Sequence, residues 1–137
     1  MSRPDTLSSA AERIRRGVAP SVAIPEFLDM FYGHETEARM LMLRDEPPPT
    51  GDARVDALMG AVCEYLAKRY GLAGVPGWAS GADRFLAEPW FTTESADPGA
   101  REYLTFASPA EFSRRNIFTE AVPLRRASQA PRRGASA

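Results

Sequence analysis

The chain is poor in the residue types from which most active sites are made. Its 137 residues include one cysteine, Cys63, one histidine, His34, and one lysine, Lys68. A single cysteine excludes an internal disulfide framework and fits a reducing compartment. A single histidine leaves no pair for a zinc helix. "GHETEA" starts like HExxH, but Ala38 stands where the spacing needs the next histidine side chain to follow, so the second ligand is missing. Serines are plentiful, yet no G-x-S-x-G elbow accompanies them and the lone histidine has no supporting motif. "GLAGVPG" is glycine-rich without the lysine of a phosphate loop. No stretch approaches the roughly 20 consecutive apolar residues of a membrane span. The N-terminus, "MSRPDTLSSAAERIRRG", has no apolar core of signal-peptide length, so a cytoplasmic location is expected.

These absences favour a non-enzymatic protein, with no catalytic residue, cofactor or metal ligand expected. The acid pairs Asp45/Glu46 and Asp52/Asp56 flank a triple proline, where exposed carboxylates are ordinarily solubilising charge; a Mg²⁺ site is the alternative there. A small enzyme built on His34 with Glu35 or Glu37 is a further alternative. Cys63 lies beside the apolar face of a helical segment and is expected buried and inert.

What is present is an ordinary globular composition, 44% apolar and 26% charged, at a length that suits one domain with a single core. The net charge of −1 hides an uneven distribution. Residues 26–64 carry three arginines against nine acids, a net of −6, whereas from 113 onward six arginines face only Glu120, a net of +5. Attraction between an acidic middle and a basic end, within or between molecules, follows from that contrast.

The hydrophobic periodicity is helical almost throughout. Leu7, Ala10, Ile14 and Val18 predict a first helix, with Ser9 and Glu12 as capping box and Gly17 as stop. Ile24, Phe27, Leu28, Phe31 and Tyr32 make a second core stripe, with Pro25 near the first turn and Gly33 at the end. "ETEARMLMLRDE" predicts a third helix. The longest runs from an Asp52 cap through Val55, Leu58, Met59, Val62, Leu66 and Tyr70 to Gly71. Beyond it "GLAGVPGWASGADRFLAEPWF" is broken by Gly and Pro, with one short helix in "SGADRFLAE" capped by Ser80. Asp97 and Pro98 open another helix, and "SPAEFSRRN" the last, with Ser108 and Glu111 at capping-box spacing and Pro109 at the first position. Asn116 suits a left-handed stop that turns Ile117 and Phe118 back toward the core. No segment shows a period-two strand with hairpin turns. The expected fold is all-α: a single-domain bundle of five to seven mostly short helices over residues 1–127, an irregular Gly/Pro/aromatic segment, and a disordered tail over 128–137.

Arg114 and Arg115 allow two readings. Positive charge in the last turn of a helix complements its exposed carbonyls, so both can be solvated helix-enders. They can equally grip a partner. With Arg125, Arg126, Arg132 and Arg133 they can also contact phosphates, which makes a nucleic-acid-binding accessory protein the alternative function, although no helix-turn-helix, zinc knuckle or aromatic-basic RNA motif accompanies them.

"AIPEFLDMFY", "RVDALMGAVCEYLAKRYGL", "GWASGADRFLAEPWF" and "SPAEFSRRNIF" followed by "PLRRA" resemble a family of small bacterial antitoxin-like proteins, over roughly residues 5–127. The "PWF" and F-x-R-R-N-I-F elements are similar to the C-terminal module of helix-turn-helix regulators encoded beside nucleotidyltransferase-like toxins. The resemblance implies an interaction module that binds or regulates a nucleotidyltransferase-fold toxin. Aromatics and arginines are the types enriched at interface hot spots, so Arg114, Arg115, Phe118, Trp90 and Phe91 are the candidate partner-binding residues. Burial of the three aromatics, with the arginines paired to Glu111 or Asp83, is the competing expectation. The acidic middle, Asp45, Glu46 and Asp52, is an alternative anchor that mimics phosphates.

Overall fold

A computed structural model describes residues 5–93, 95 and 97–126. The tail expected over 128–137 lies outside the described residues. The fold is all-α, with six helices among the described residues: α1 (Leu7–Arg15), α2 (Pro20–Tyr32), α3 (Thr36–Arg44), α4 (Ala53–Arg69), α5 (Pro98–Ala107) and α6 (Ala110–Ser113). Between α4 and α5 lie two 3₁₀ turns, Gly77–Ser80 and Ala82–Arg84, and a two-residue strand β1 (Trp90–Phe91). β1 pairs in parallel with β2 (Ile117–Phe118), Trp90 opposite Ile117 and Phe91 opposite Phe118. No helix among the described residues is long and apolar enough to cross a membrane.

α4 is the central element. Val55, Ala57, Met59, Gly60, Ala61, Val62, Cys63, Glu64, Leu66 and Ala67 are all buried, so the helix is enclosed on nearly every side, as a helix through the middle of a core must be. Its start is the predicted one: Asp52 accepts the Arg54 N–H at 2.9 Å. Asp56 accepts both the backbone N–H and the hydroxyl of Thr50, which ties the triple-proline connector to the first turn of α4. α2 lays Ala23, Ile24, Phe27, Leu28 and Phe31 into the core. At the far end of α2, Arg39 of α3 donates to the Phe31 and Tyr32 carbonyls and lies over the Phe31 and Tyr70 rings. One side chain thereby caps a helix and joins it to its neighbour.

Several local expectations are corrected. α1 is capped by Thr6, whose hydroxyl accepts the Ser9 N–H, while Glu12 turns to Arg15 and Arg16. Those guanidiniums hold the Glu12 carboxyl down at about 2. α2 begins at Pro20, not Pro25, and Pro25 sits inside it. The "SGADRFLAE" helix is only a 3₁₀ turn, because Gly81 and Phe85 on its two sides are extended. Ser108 does not cap α6; its hydroxyl donates to the Leu104 and Thr119 carbonyls and accepts the Thr119 N–H. Asn116 does adopt the left-handed conformation, at φ 65°, and returns Ile117 to the core.

Gly60 is the point of closest approach in this packing. A Cβ there would stand 2.9 Å from Arg84 Cβ, 3.0 Å from Arg115 Nε and 3.2 Å from the Ala79 carbonyl oxygen. On an open helix Gly→Ala stabilises by about 0.5–1 kcal/mol. Gly60→Ala is predicted to do the opposite, losing about 1–3 kcal/mol by overpacking. Chemical denaturation checks this, and a gain in stability would show that the space beside α4 is open.

Candidate protein-interaction surface

The five residues singled out by sequence fall into different environments. Arg115 is inside the protein, 1% exposed. Just after α6, the Arg115 guanidinium enters the core beside Gly60 of α4. Nη1 donates to Glu64 Oε1 at 2.5 Å and to the Glu111 carbonyl at 2.8 Å; Nη2 donates to the Ala79 carbonyl at 2.6 Å. Its face rests on the Phe85 ring, 4.8 Å from the centroid. The carboxylate partner is thus Glu64 of α4, and Glu111 contributes only a backbone oxygen. Arg115 is therefore neither a solvated helix-ender nor a side chain exposed to a partner.

Arg114 reaches the same acid from outside. It donates to Glu64 Oε2, which Lys68 also contacts at 2.8 Å, and its side chain remains 49% exposed. Burial pushes the Glu64 carboxyl up, but the bonds from Lys68 and Arg115, the Arg115 charge and the Arg114 bond outweigh it, so the group titrates below its ordinary range. It stays a carboxylate at neutral pH.

A second arginine, Arg84, is also buried against Gly60. It donates to the Asp56 carbonyl at 3.1 Å, the Pro47 carbonyl at 2.8 Å and Glu46 at 3.3 Å, and lies over the Trp78 indole. Sequence reasoning missed it. The available signal was Gly60, an isolated glycine in an otherwise regular helix, which marks a close approach by something bulky. The Nε atoms of Arg84 and Arg115 are buried without a hydrogen-bond partner, which sets a cost against the two clamps.

The aromatics form the outer part of the C-terminal region. Phe91 and Phe118 are half-buried and stack across the strand pair, centroids 5.0 Å apart at 22°. Arg101 of α5 lies over Phe91 at 5.2 Å. Trp90 is half-buried, packs against the core and takes Arg54 over its ring. Next to this pair α5 buries Leu104 and turns Tyr103 and Phe106 outward, 60% and 81% exposed. Three residues apart, they share one face of the helix. Neither was among the residues singled out beforehand, since "AREYLTFA" by itself does not say which aromatic faces in.

The remaining chemistry is ordinary. His34 Nδ1 donates to the Met30 carbonyl at 2.6 Å. Burial pushes the Cys63 thiol up to about 12, so it is protonated at neutral pH. Among the described residues no group of three His, Cys, Asp or Glu side chains converges as metal ligands do. Of the four C-terminal arginines described, Arg114 and Arg115 are matched by Glu64 and Arg126 by Asp29, at 3.0 and 3.1 Å.

The arginine pair is predicted to split on mutation. Arg115→Ala leaves Glu64 without its buried partner and should cost about 3–5 kcal/mol. Arg114→Ala removes a half-exposed contact and should cost about 1 kcal/mol or less. Equilibrium denaturation of the two variants decides, and equal losses would contradict the separation. Compared with family models, curated proteins and solved structures, the chain has no match.

Proposed function

We propose that this chain is a non-enzymatic protein-binding module whose contact surface is the outer face of α5 with the adjoining Phe91–Phe118 stack. The observation that carries the reading is the exposure of Tyr103 and Phe106, 60% and 81%, on one face of a helix whose other side is anchored by Leu104. An exposed aromatic pair is costly in water and gains about 1.5–3 kcal/mol per ring when a partner covers it. Aromatics with arginine nearby are also the composition of interface hot spots, and Arg101 stands over Phe91 at this surface. The sequence resemblance to antitoxin-like modules supplies the class of partner: a nucleotidyltransferase-like toxin, bound or regulated through the C-terminal segment.

The nucleic-acid alternative draws less support. Three of the four C-terminal arginines described already engage carboxylates of their own chain, and Arg115 is buried, so fewer of them are open to phosphates.

Co-expression with the product of the adjacent gene tests the reading. A complex should copurify, and Tyr103→Ser with Phe106→Ser should weaken it by about 2–4 kcal/mol while leaving the melting temperature nearly unchanged, because neither ring is in the core. Two folded proteins that do not associate at micromolar concentration, or a complex indifferent to the double variant, would count against it.

A further inference from the structure

Within the acidic middle of the sequence, α3 shows a pattern that the C-terminal surface does not use. Met42 and Leu43 are buried and Arg39 points at Phe31 and Tyr70, so that side of α3 faces the core. Glu37, Met40, Leu41 and Arg44 fall at i, i+3, i+4 and i+7, the opposite face, and all four are exposed, Met40 at 40% and Leu41 at 48%. This face borders an open groove of about 870 Å³ whose other wall is residues 72–78, with Leu72, Val75 and Trp78 as its apolar part. The Trp78 Nε1–H donates to the Leu43 carbonyl at 3.0 Å, which fixes the indole and keeps the wall in place.

The four exposed residues read as their own complement. Turned end for end, the order acid, apolar, apolar, arginine meets arginine, apolar, apolar, acid. Glu37 has no ion-pair partner among the described residues, and Arg44 has only its exposed neighbour Asp45 at 3.4 Å. Glu37 and Arg44 lie about 10 Å apart along the helix axis, two turns, with the apolar pair midway. We infer that α3 is a self-association surface: two copies pair antiparallel about a two-fold axis passing between Met40 and Leu41, so that Glu37 of each copy meets Arg44 of the other. Such an isologous contact closes on itself and stops at the dimer. Charge complementarity fixes its antiparallel sense, since a parallel pairing would set like charges against each other. A nine-residue helix with one loop wall makes a small interface, so the dimer forms at micromolar concentration and dissociates on dilution.

Sedimentation equilibrium on the full chain, from about 1 to 200 µM, reads this directly. The mass should climb from 15.0 kDa toward twice that value as concentration rises. Glu37→Arg and Arg44→Glu should each weaken the dimer by about tenfold or more, and the two together should restore it to within a few-fold of the original. Phe106→Ser should leave it unchanged, which separates this contact from the α5 surface. Should either charge variant lose its helical circular dichroism, Leu41→Asp reads the same contact and should give a monomer. A monomer across the whole range overturns the inference. So does a dimer indifferent to the single charge changes, one that the double change fails to restore, or one lost in Phe106→Ser.

Discussion

A carboxylate enclosed by protein must be matched by charge and hydrogen bonds, and at Glu64 the matching is done by three cations: Lys68 one turn along α4, and Arg114 and Arg115 some fifty positions later. This constraint sets the course of the C-terminal third. Arg115 reaches Glu64 from the end of α6, and the left-handed turn at Asn116 that follows it delivers Ile117 and Phe118 to pair with Trp90 and Phe91. Asn116 locks the same junction by donating to the Leu86 carbonyl, and the Leu86 N–H donates to the Arg115 carbonyl in return. Gly60 makes room for the guanidinium, and the Ala79 and Glu111 carbonyls accept from it. One buried acid thereby organises a 3₁₀ turn, a short helix and a strand pair, none of which would hold its shape alone.

Arg84 applies the same solution to the other half of the irregular segment. It binds the Pro47 and Asp56 carbonyls and so links the triple-proline connector to α4 through a residue from the turn after it. Two buried arginines that both press on Gly60 stand in for the apolar packing that a Gly/Pro-rich stretch cannot supply. Buried charge of this kind is a weak source of stability, and the two unpartnered Nε atoms add to its cost. What the clamps leave outside is then well defined. The aromatic face of α5 and the Glu37–Arg44 face of α3 lie on helices whose other sides bury Leu104 and Met42 with Leu43.

The regular helices were legible because their periodicity and caps are local. The Ile24–Phe31 stripe, the Asp52 cap, the Asp97–Pro98 start and the left-handed Asn116 are all where residue chemistry puts them. The errors lie where a local rule had a nearby competitor. Thr6 took the cap expected of Ser9, and Ser108 turned from α6 to the carbonyls of Leu104 and Thr119. The two-residue strands are too short for any period to register. The burial of Arg84 and Arg115 was illegible for a different reason: an arginine looks like surface until its hydrogen-bond partners are known, and all of these but the Glu111 carbonyl lie 28 to 51 positions away. The same holds for α5, whose outward aromatics become visible only once Leu104 is seen to be its anchor.

The claim on which the account rests is that Glu64 and Arg115 act as one buried unit. A double-mutant cycle on Glu64→Gln and Arg115→Met, followed by equilibrium denaturation, tests that claim most directly. If the pair is a unit, the double variant is less destabilised than the two single losses added together, by about 2 kcal/mol or more, because neither charge is left stranded. Additive losses, within about 0.5 kcal/mol, would mean that the two side chains contribute independently and that something other than this contact holds the C-terminal segment in place.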